Sequence, residues 1–386
     1  MKILFYCQHV WGVGHYFRSM EICRGLHRHE VVMAIGGPPF DAPLPENVRL
    51  VRLPPIKMGS DYATLQSEAA GRSLSQIKTE RERLLRRIYI DEAPDILLIE
   101  LYPFGRRKFK FELVPLLEDI RGGELPPAKV VCSLRDILVS KKDARAYETD
   151  VVEKLNNYFD ALLVHADRQL VTLDETFGLT ADIEIPLVYT GFVVQPPAGD
   201  AARQVRRQLN LGADQRLVVV SAGGGRSGFP LLRAVLEALQ SRQPLTNMTV
   251  RVFTGPFMED NDYRHLETLQ GEGVKVSRFS DQFLSLLSAA DLSISMGGYN
   301  TSMNILATGV PALVWPYPGD REQGLRARRL ADLGVLNVLT EADLDPARMA
   351  AAIDRALYRT RPTDAAIATD GARQAARYIE TLSRPA

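Results

Sequence analysis

The chain has 386 residues, enough for two domains with separate cores, and its 46% apolar content is that of a globular protein. Lys plus Arg equals Asp plus Glu at 47 each, so no global charge draws it to nucleic acid or to an acidic membrane. No stretch approaches the roughly 20 apolar residues that span a bilayer, and the widely spaced Cys7, Cys23 and Cys132 suit reduced thiols and a cytoplasmic compartment better than disulfides or zinc.

Lys2 to Cys7 reads as a buried first strand, and the turn Gly12-Val13-Gly14-His15 leads into a helix carrying Phe17, Met20, Ile22, Cys23 and Leu26. Strand, glycine loop and helix open a Rossmann-like unit. A dinucleotide site is disfavoured, because Phe17 stands where the third glycine belongs and the strand Val31 to Ile35 ends in Gly36-Gly37-Pro38-Pro39 without an acid. Residues 53–62 form a proline- and glycine-punctuated loop. A charged helix is expected from Thr64 to Tyr89, its alternating signs marking a solvated face with internal ion pairs.

Pro94 to Ile99 gives the next strand, followed by Glu100 and then by Arg106, Arg107, Lys108 and Lys110 among aromatics. These cations either bind a phosphate of a ligand, touch anionic lipid, or begin a solvated helix. Val130 to Leu134 and Ala161 to His165 are further strands; Arg135-Asp136 follow the first of them, facing a ligand or simply paired with each other. Residues 185–193 carry the chain out of the first domain, and Gln195 to Gly199 is the best linker.

In the second half, the strand Arg216 to Ser221 runs into Ala222-Gly223-Gly224-Gly225-Arg226-Ser227-Gly228, a loop whose N–H groups can cradle phosphates. It is not a Walker motif, since no Lys-Ser/Thr pair follows. Val250 to Thr254 precedes Asp260-x-Asp262, a superficial metal-binding pattern better read as helix-capping residues. Val274 to Val276 leads to Phe279-Ser280. Residues 291–294 form a strand that ends in Gly297-Gly298, after which Asn300 can cap a helix over Thr301 to Thr308 whose dipole faces the turn. The strand Ala312 to Trp315 delivers Asp320, Arg321, Glu322 and Gln323 to the same edge as a polar loop, ahead of a helix from Gly324. A strand near Val335 to Leu339, a helix over Pro346 to Tyr358 and an amphipathic tail over Thr363 to Leu382 complete the chain.

The stretch from Ser295 to Gln323 resembles the donor-binding segment of inverting glycosyltransferases with the GT-B fold, particularly relatives of the transferase that adds N-acetylglucosamine to complete lipid II. PFGRR, FELVPLLE and SLRDIL resemble a branch of predicted bacterial glycosyltransferases, which extends the likeness to both halves. The resemblance implies an α/β, GT-B fold, two Rossmann-like domains facing across a cleft. Residues 1–195 would bind the acceptor, 196–363 the nucleotide sugar, and 364–386 would form a helix returning to the first domain.

It also implies roles. Gly223, Gly224, Gly225, Arg226 and Ser227 would lie over the donor diphosphate beside Gly297, Gly298, Asn300 and Thr301. Phe279 and Ser280 would form the base pocket, although Phe279 equally suits a core. The ribose position, an acid in the family, is Asn304 here; an amide binds hydroxyls without the charge that strengthens carboxylate contacts. Asp320, Arg321, Glu322 and Gln323 would hold the sugar. His15 matches the family's acceptor-side histidine, a general base if its pKa is near neutrality, or else a loop brace, with His9 a weaker second candidate. Gly14, Arg106, Arg107, Arg135 and Asp136 complete the acceptor side.

The expected activity is metal-independent, inverting transfer from a nucleotide diphosphate sugar, UDP-linked, to a hydroxyl of a small or lipid-linked acceptor. No cofactor or nucleic acid is expected, and membrane contact would be peripheral at the inner face. The alternatives are a nucleotide-sugar epimerase of the same fold and a non-catalytic binding subunit.

Overall fold

The computed structural model describes residues 1–8, 14–37, 44–58, 64–67, 71–138, 143–241, 245, 247–358 and 367–382. His9, Gly12 and Val13 lie outside the described residues, as do residues 59–63 of the punctuated loop. The chain divides into two compact units, Met1–Val193 with Ala368–Ala386, and Val194–Ile367.

In unit 1 the apolar runs become strands β1 (Lys2–Cys7), β2 (Glu30–Ile35), β3 (Val48–Arg52), β4 (Ile56–Met58), β5 (Leu65–Ser67), β6 (Ile96–Glu100), β7 (Lys129–Arg135), β8 (Ala161–His165) and β9 (Leu187–Tyr189). Helices α1 (Gly14–Gly25), α2 (Leu74–Glu92), α3 (Lys110–Gly122) and α4 (Ala144–Tyr158) connect them. Among the described residues the main sheet is seven-stranded and parallel, in the order β3-β2-β1-β6-β7-β8-β9. Both faces are covered, which is why its inner strands read as unbroken apolar runs.

The helix expected from Thr64 instead begins at Leu74. Ser73 caps it in a reciprocal box with Gln76, while residues 65–67 pair antiparallel with β4. Its face is also not simply solvated. The Arg81 side chain is fully buried and paired at 2.6 Å with Glu112 of α3, which in turn accepts from the Tyr6 hydroxyl. The same guanidinium donates to Gln8 Oε1 at 2.9 Å and to the Pro54 carbonyl at 2.7 Å, so one arginine ties together segments leaving β1 and β3.

Unit 2 contains α5 (Ala201–Gln208), β10 (Arg216–Ser221), α6 (Phe229–Gln240), β11 (Met248–Phe253), α7 (Asp260–Thr268), β12 (Val274–Ser277) and α8 (Phe283–Ala289). It continues with β13 (Leu292–Met296), α9 (Tyr299–Thr308), β14 (Ala312–Trp315), α10 (Arg321–Asp332), β15 (Asn337–Val338) and α11 (Pro346–Leu357). Its described strands form a parallel sheet in the order β12-β11-β10-β13-β14-β15. Apolar side chains of α6 and α11 pack with one face of β10, β11 and β13.

The last helix, α12 (Gly371–Thr381), belongs to unit 1, where Ala375, Ala376 and Ile379 join Met20 and Cys23 of α1 in the core. The Gly371 backbone lies so close to residue 191 that an added Cβ would sit 2.3 Å from the Gly191 carbonyl oxygen. That approach fixes where the tail docks.

Candidate functional site

In an open parallel sheet, ligands bind beyond the carboxyl ends of the strands, where successive connections turn to opposite sides. In unit 2 this switch point falls between the neighbours β10 and β13. Both strands leave it through glycines. Gly223 and Gly225 have φ of 60° and 100°, and a Cβ on Gly225 would lie 2.4 Å from the Thr254 carbonyl oxygen. The turn is pinned to the one after β11 by a hydrogen bond from Phe257 N–H to the Gly224 carbonyl, 2.9 Å.

The helices that follow, α6 and α9, have Gly228 and Gly298 as N-caps and no side-chain capping bond. Their first-turn N–H groups, Pro230 aside, are therefore not satisfied by a cap and carry the positive end of each dipole. By contrast α10 and α11 begin under the carboxylates of Asp320 and Asp345. The starts of α5, α7 and α8 also lack a side-chain cap. However, α6 and α9 are the helices that follow the two strands of the switch point, and with glycine at each N-cap no side chain stands between their N–H groups and an anion there.

Several expected residues fall elsewhere in detail. Asn300 is not the cap of α9 but an exposed residue in its first turn, because the extended backbone of Gly298 lets the helix begin at Tyr299. Thr301 is buried in the same turn and Asn304 is half-buried one turn further on. Asp320 to Gln323 are not a loop. Asp320 Oδ1 accepts from the N–H groups of Glu322 (3.0 Å) and Gln323 (3.2 Å), and the Gln323 amide donates back to Asp320 Oδ2 at 3.0 Å. Arg321 remains exposed.

Glu322 pairs at 2.7 Å with Arg326, a fully buried side chain that also donates to the Gly297 carbonyl at 3.3 Å. Arg326 braces the turn before α9. The Glu322/Arg326 spacing of four within a helix is the signal that could have found it.

Phe279 is 69% exposed beyond β12 and so is no core residue, while Ser280 Oγ accepts from Gln282 N–H at 3.1 Å. Arg226 is exposed and lies over the Phe257 ring, 5.6 Å from its centroid; Ser227 is half-buried. Asp260 and Asp262 sit in the first turn of α7, with Asp260 paired to Arg278. Among the described residues no group of three or more His, Cys, Asp or Glu is placed to hold a metal ion.

The switch point of unit 1 lies between β1 and β6. Here the site is built from side chains. His15 follows Gly14 in the first turn of α1 rather than in a loop, and its Nδ1 lies 2.6 Å from Oε1 of Glu100, the fully buried last residue of β6. Arg18, one turn along α1, donates to the same oxygen, and Arg106 Nε lies 3.6 Å from Oε2.

Burial pushes His15 down from 6.5 to about 4; Glu100 opposes this, and Arg106 and Arg18 reinforce it. The expected near-neutral pKa is therefore corrected downward, because the ring is only 21% exposed and two guanidiniums stand near it. Burial raises the proton affinity of Glu100, yet His15, Arg106 and Arg18 outweigh it and keep the carboxylate ionised. Nδ1 has two neighbours, the ionised Glu100 oxygen at 2.6 Å and Arg18 Nη2 at 3.2 Å; the closer, charged acceptor favours the tautomer with the proton on Nδ1 and the lone pair on Nε2.

Of the other acceptor-side residues, Arg107 is engaged by Asp150 at 3.0 Å and by the Tyr147 ring, 5.5 Å from its centroid. Arg135 ends β7, with Asp136 buried directly after it. His165, which sequence reasoning passed over, is fully buried at the end of β8 between Ser133 Oγ and Thr190 Oγ1, each at 2.8 Å. Burial first, then Arg18, lowers its pKa to about 3 against the pull of Glu100.

Residues 218–380 match the model of the glycosyltransferase family 28 C-terminal domain. An uncharacterized glycosyltransferase of Methanopyrus kandleri is 26% identical over 60% of this chain and 65% of its own length. The UDP-N-acetylglucosamine–N-acetylmuramyl-(pentapeptide) pyrophosphoryl-undecaprenol N-acetylglucosamine transferase of Desulforudis audaxviator is 27% identical over 49% of this chain and 52% of its own. The chain thus matches about half to two-thirds of the length of these curated relatives. A UGT transferase from Siraitia grosvenorii, solved with UDP, superposes with a TM-score of 0.61 at 13% identity, over 98% of this chain and 99% of that one. The chain therefore has the GT-B fold of glycosyltransferases and resembles the lipid II N-acetylglucosamine transferase family, its second half matching the family 28 C-terminal domain.

Proposed function

We propose that the chain transfers a sugar from a nucleotide diphosphate sugar, UDP-linked, to an acceptor hydroxyl, by inverting displacement and without a metal ion. The observation that carries this reading is the pair of uncapped helix starts, at Gly228 and Gly298, flanking the unit 2 switch point within the stretch that matches the family. Backbone N–H groups there would bind the diphosphate and stabilise its charge as it departs, the part a metal ion plays elsewhere. The exposed Phe279 ring would meet the base, Asn304 the ribose hydroxyls, and Arg321 with the cap at Asp320 the sugar. The UDP preference rests on the name of the Desulforudis audaxviator relative.

Inversion requires one displacement, hence a base on the acceptor. His15 would supply it: the ring is neutral near pH 7 and able to take a proton. Although burial, Arg106 and Arg18 make it a weaker base than the near-neutral one expected, Glu100 beside Nδ1 favours the charged form. Nδ1–H donates to Glu100, and Nε2 takes the hydroxyl proton as the acceptor oxygen bonds to the anomeric carbon. The bond from that carbon to the diphosphate oxygen breaks, and its electron pair leaves with the diphosphate. Glu100 then stabilises the imidazolium formed. A lipid-linked acceptor would be met peripherally at the inner membrane face; among the described residues no helix is long and apolar enough to cross a membrane.

The test is incubation of UDP, GDP, TDP and ADP sugars with a panel of hydroxyl acceptors, neutral ones and ones bearing a carboxylate or phosphate group, in EDTA, following acceptor-dependent release of the nucleoside diphosphate and the anomeric configuration of the product. Release from UDP sugars with inversion supports the reading. Release that depends on added divalent ions, or retention of configuration, contradicts it.

A further inference from the structure

The buried cluster around Glu100 has one charge too many. Glu100 brings one carboxylate; Arg18 and Arg106 bring two guanidiniums; His15, at about 4, is neutral near pH 7. Cys7, whose thiol burial pushes up to about 12, adds no charge, and neither does His165 on the neighbouring strand side. The excess sits on Arg106. Its side chain is only 9% exposed, and neither Nε nor Nη2 has a hydrogen-bond partner.

Arg106 is not arranged simply to neutralise Glu100. An arginine doing that closes a fork of two bonds near 2.8 Å, whereas Arg106 Nε stands 3.6 Å from Oε2, and Oε2 is itself without a hydrogen bond. The backbone holds this arrangement at some cost, since Leu101 and Arg106 both adopt left-handed φ, 66° and 57°. A non-glycine residue is strained there because its Cβ crowds the following carbonyl oxygen. Buried donors without acceptors, on a residue in a strained backbone, at the switch point of a sheet, describe half of an anion site.

We propose that Arg106 receives an oxyanion of the acceptor, a carboxylate or a phosphate group, beside the hydroxyl that His15 deprotonates. This rests on the reading of His15 as the acceptor's base, and it names the acceptor class: a hydroxyl compound bearing an anionic oxygen group nearby. It also gives the anion a second role. Arg106 opposes protonation of His15, so an acceptor that neutralises the guanidinium makes the imidazole a stronger base as it arrives. An acceptor without the anion meets a histidine that holds a proton poorly. Water, which has none, is disfavoured as an acceptor on the same ground.

The experiment is a pH titration of the full chain carrying ring-13C histidine, followed by NMR, with inorganic phosphate, with acetate and with neither. The sequence has six histidines, and H15Q assigns the relevant signal. The expected result is that an anion raises the His15 midpoint by about one pH unit and that R106Q abolishes the response while leaving the His165 signal, a reporter of the fold, in place. A response to phosphate alone or to acetate alone identifies the acceptor group. Should R106Q disturb the His165 signal, R106K, which keeps the charge but not the fork, must still weaken phosphate binding about tenfold. No movement of the His15 midpoint with either anion, or an unchanged response in R106Q or R106K, overturns the proposal. Nucleotide binding is measured separately: an anion response in a chain that binds no nucleotide would leave the Arg106 site standing and remove the transferase reading.

Discussion

The two switch points share one strand plan and are filled in opposite ways. In unit 2 the space beyond β10 and β13 is left to backbone, with glycine turns and helix starts that no side chain caps. In unit 1 the space beyond β1 and β6 is packed with ionisable side chains, namely His15, Arg18, Glu100 and Arg106. Backbone amides suit a ligand part that does not vary, a diphosphate. Side chains can be exchanged without altering the fold, which suits an acceptor that differs between relatives. The contrast also divides vulnerability: unit 2 should be sensitive to an added Cβ, unit 1 to a removed charge.

The largest effect expected on this division is on stability. Arg81→Met leaves Glu112 charged and buried without its partner, which should cost about 3–5 kcal/mol in chemical denaturation. Adding Glu112→Leu should return most of that loss. Nucleotide binding by unit 2 should be unchanged in both variants, and a loss there would break the separation of the units.

Next comes His15→Ala, which should lower turnover roughly 100-fold or more while leaving nucleotide affinity as it was. Unchanged turnover would end the role of His15 as base. The mirror variant is Gly225→Ala. Its φ of 100° and the 2.4 Å approach to Thr254 leave no place for a methyl group. Nucleotide affinity should fall roughly tenfold, about 1.4 kcal/mol, with the His15 titration untouched.

The smallest effect is graded. His15 and His165 have folded pKa values of about 4 and about 3, below the ordinary 6.5, so the unfolded chain binds more protons than the native one between those limits. Their contribution to stability is present above pH 6.5 and is lost as pH falls toward 3. Urea midpoints should decline across that window, and H15Q combined with H165N should flatten the slope. A slope of unchanged steepness would mean that the two rings are not held neutral.

Much of the scaffold was legible because parallel strands buried on both faces are continuous apolar runs; Ala161–His165, Arg216–Ser221 and Ala312–Trp315 need no tertiary information. The glycine turns were legible because few alternatives explain such a cluster between a strand and a helix. What sequence alone obscured depended on distant partners. Glu100 meets His15 across 85 positions, and Glu112 meets Arg81 across 31, so neither the lowered histidine nor the buried arginine shows in a local window. Two local signals were outweighed. Ser73 and Gln76 announce the start of α2, but the charge alternation before and after them suggests one longer helix. Asp320 is a strong N-cap whose polar neighbours look like ligand contacts until the helix is seen to begin at Arg321.

The central claim is that the unit 2 switch point is a nucleoside diphosphate site made of backbone. Isothermal calorimetry of the full chain with UDP, GDP, TDP and ADP in EDTA tests it most directly. One nucleotide, UDP, should bind in preference, with affinity reduced by Gly225→Ala and by Asn304→Ala and unaffected by His15→Ala. Absence of binding by all four, or binding indifferent to Gly225 and Asn304, would contradict it.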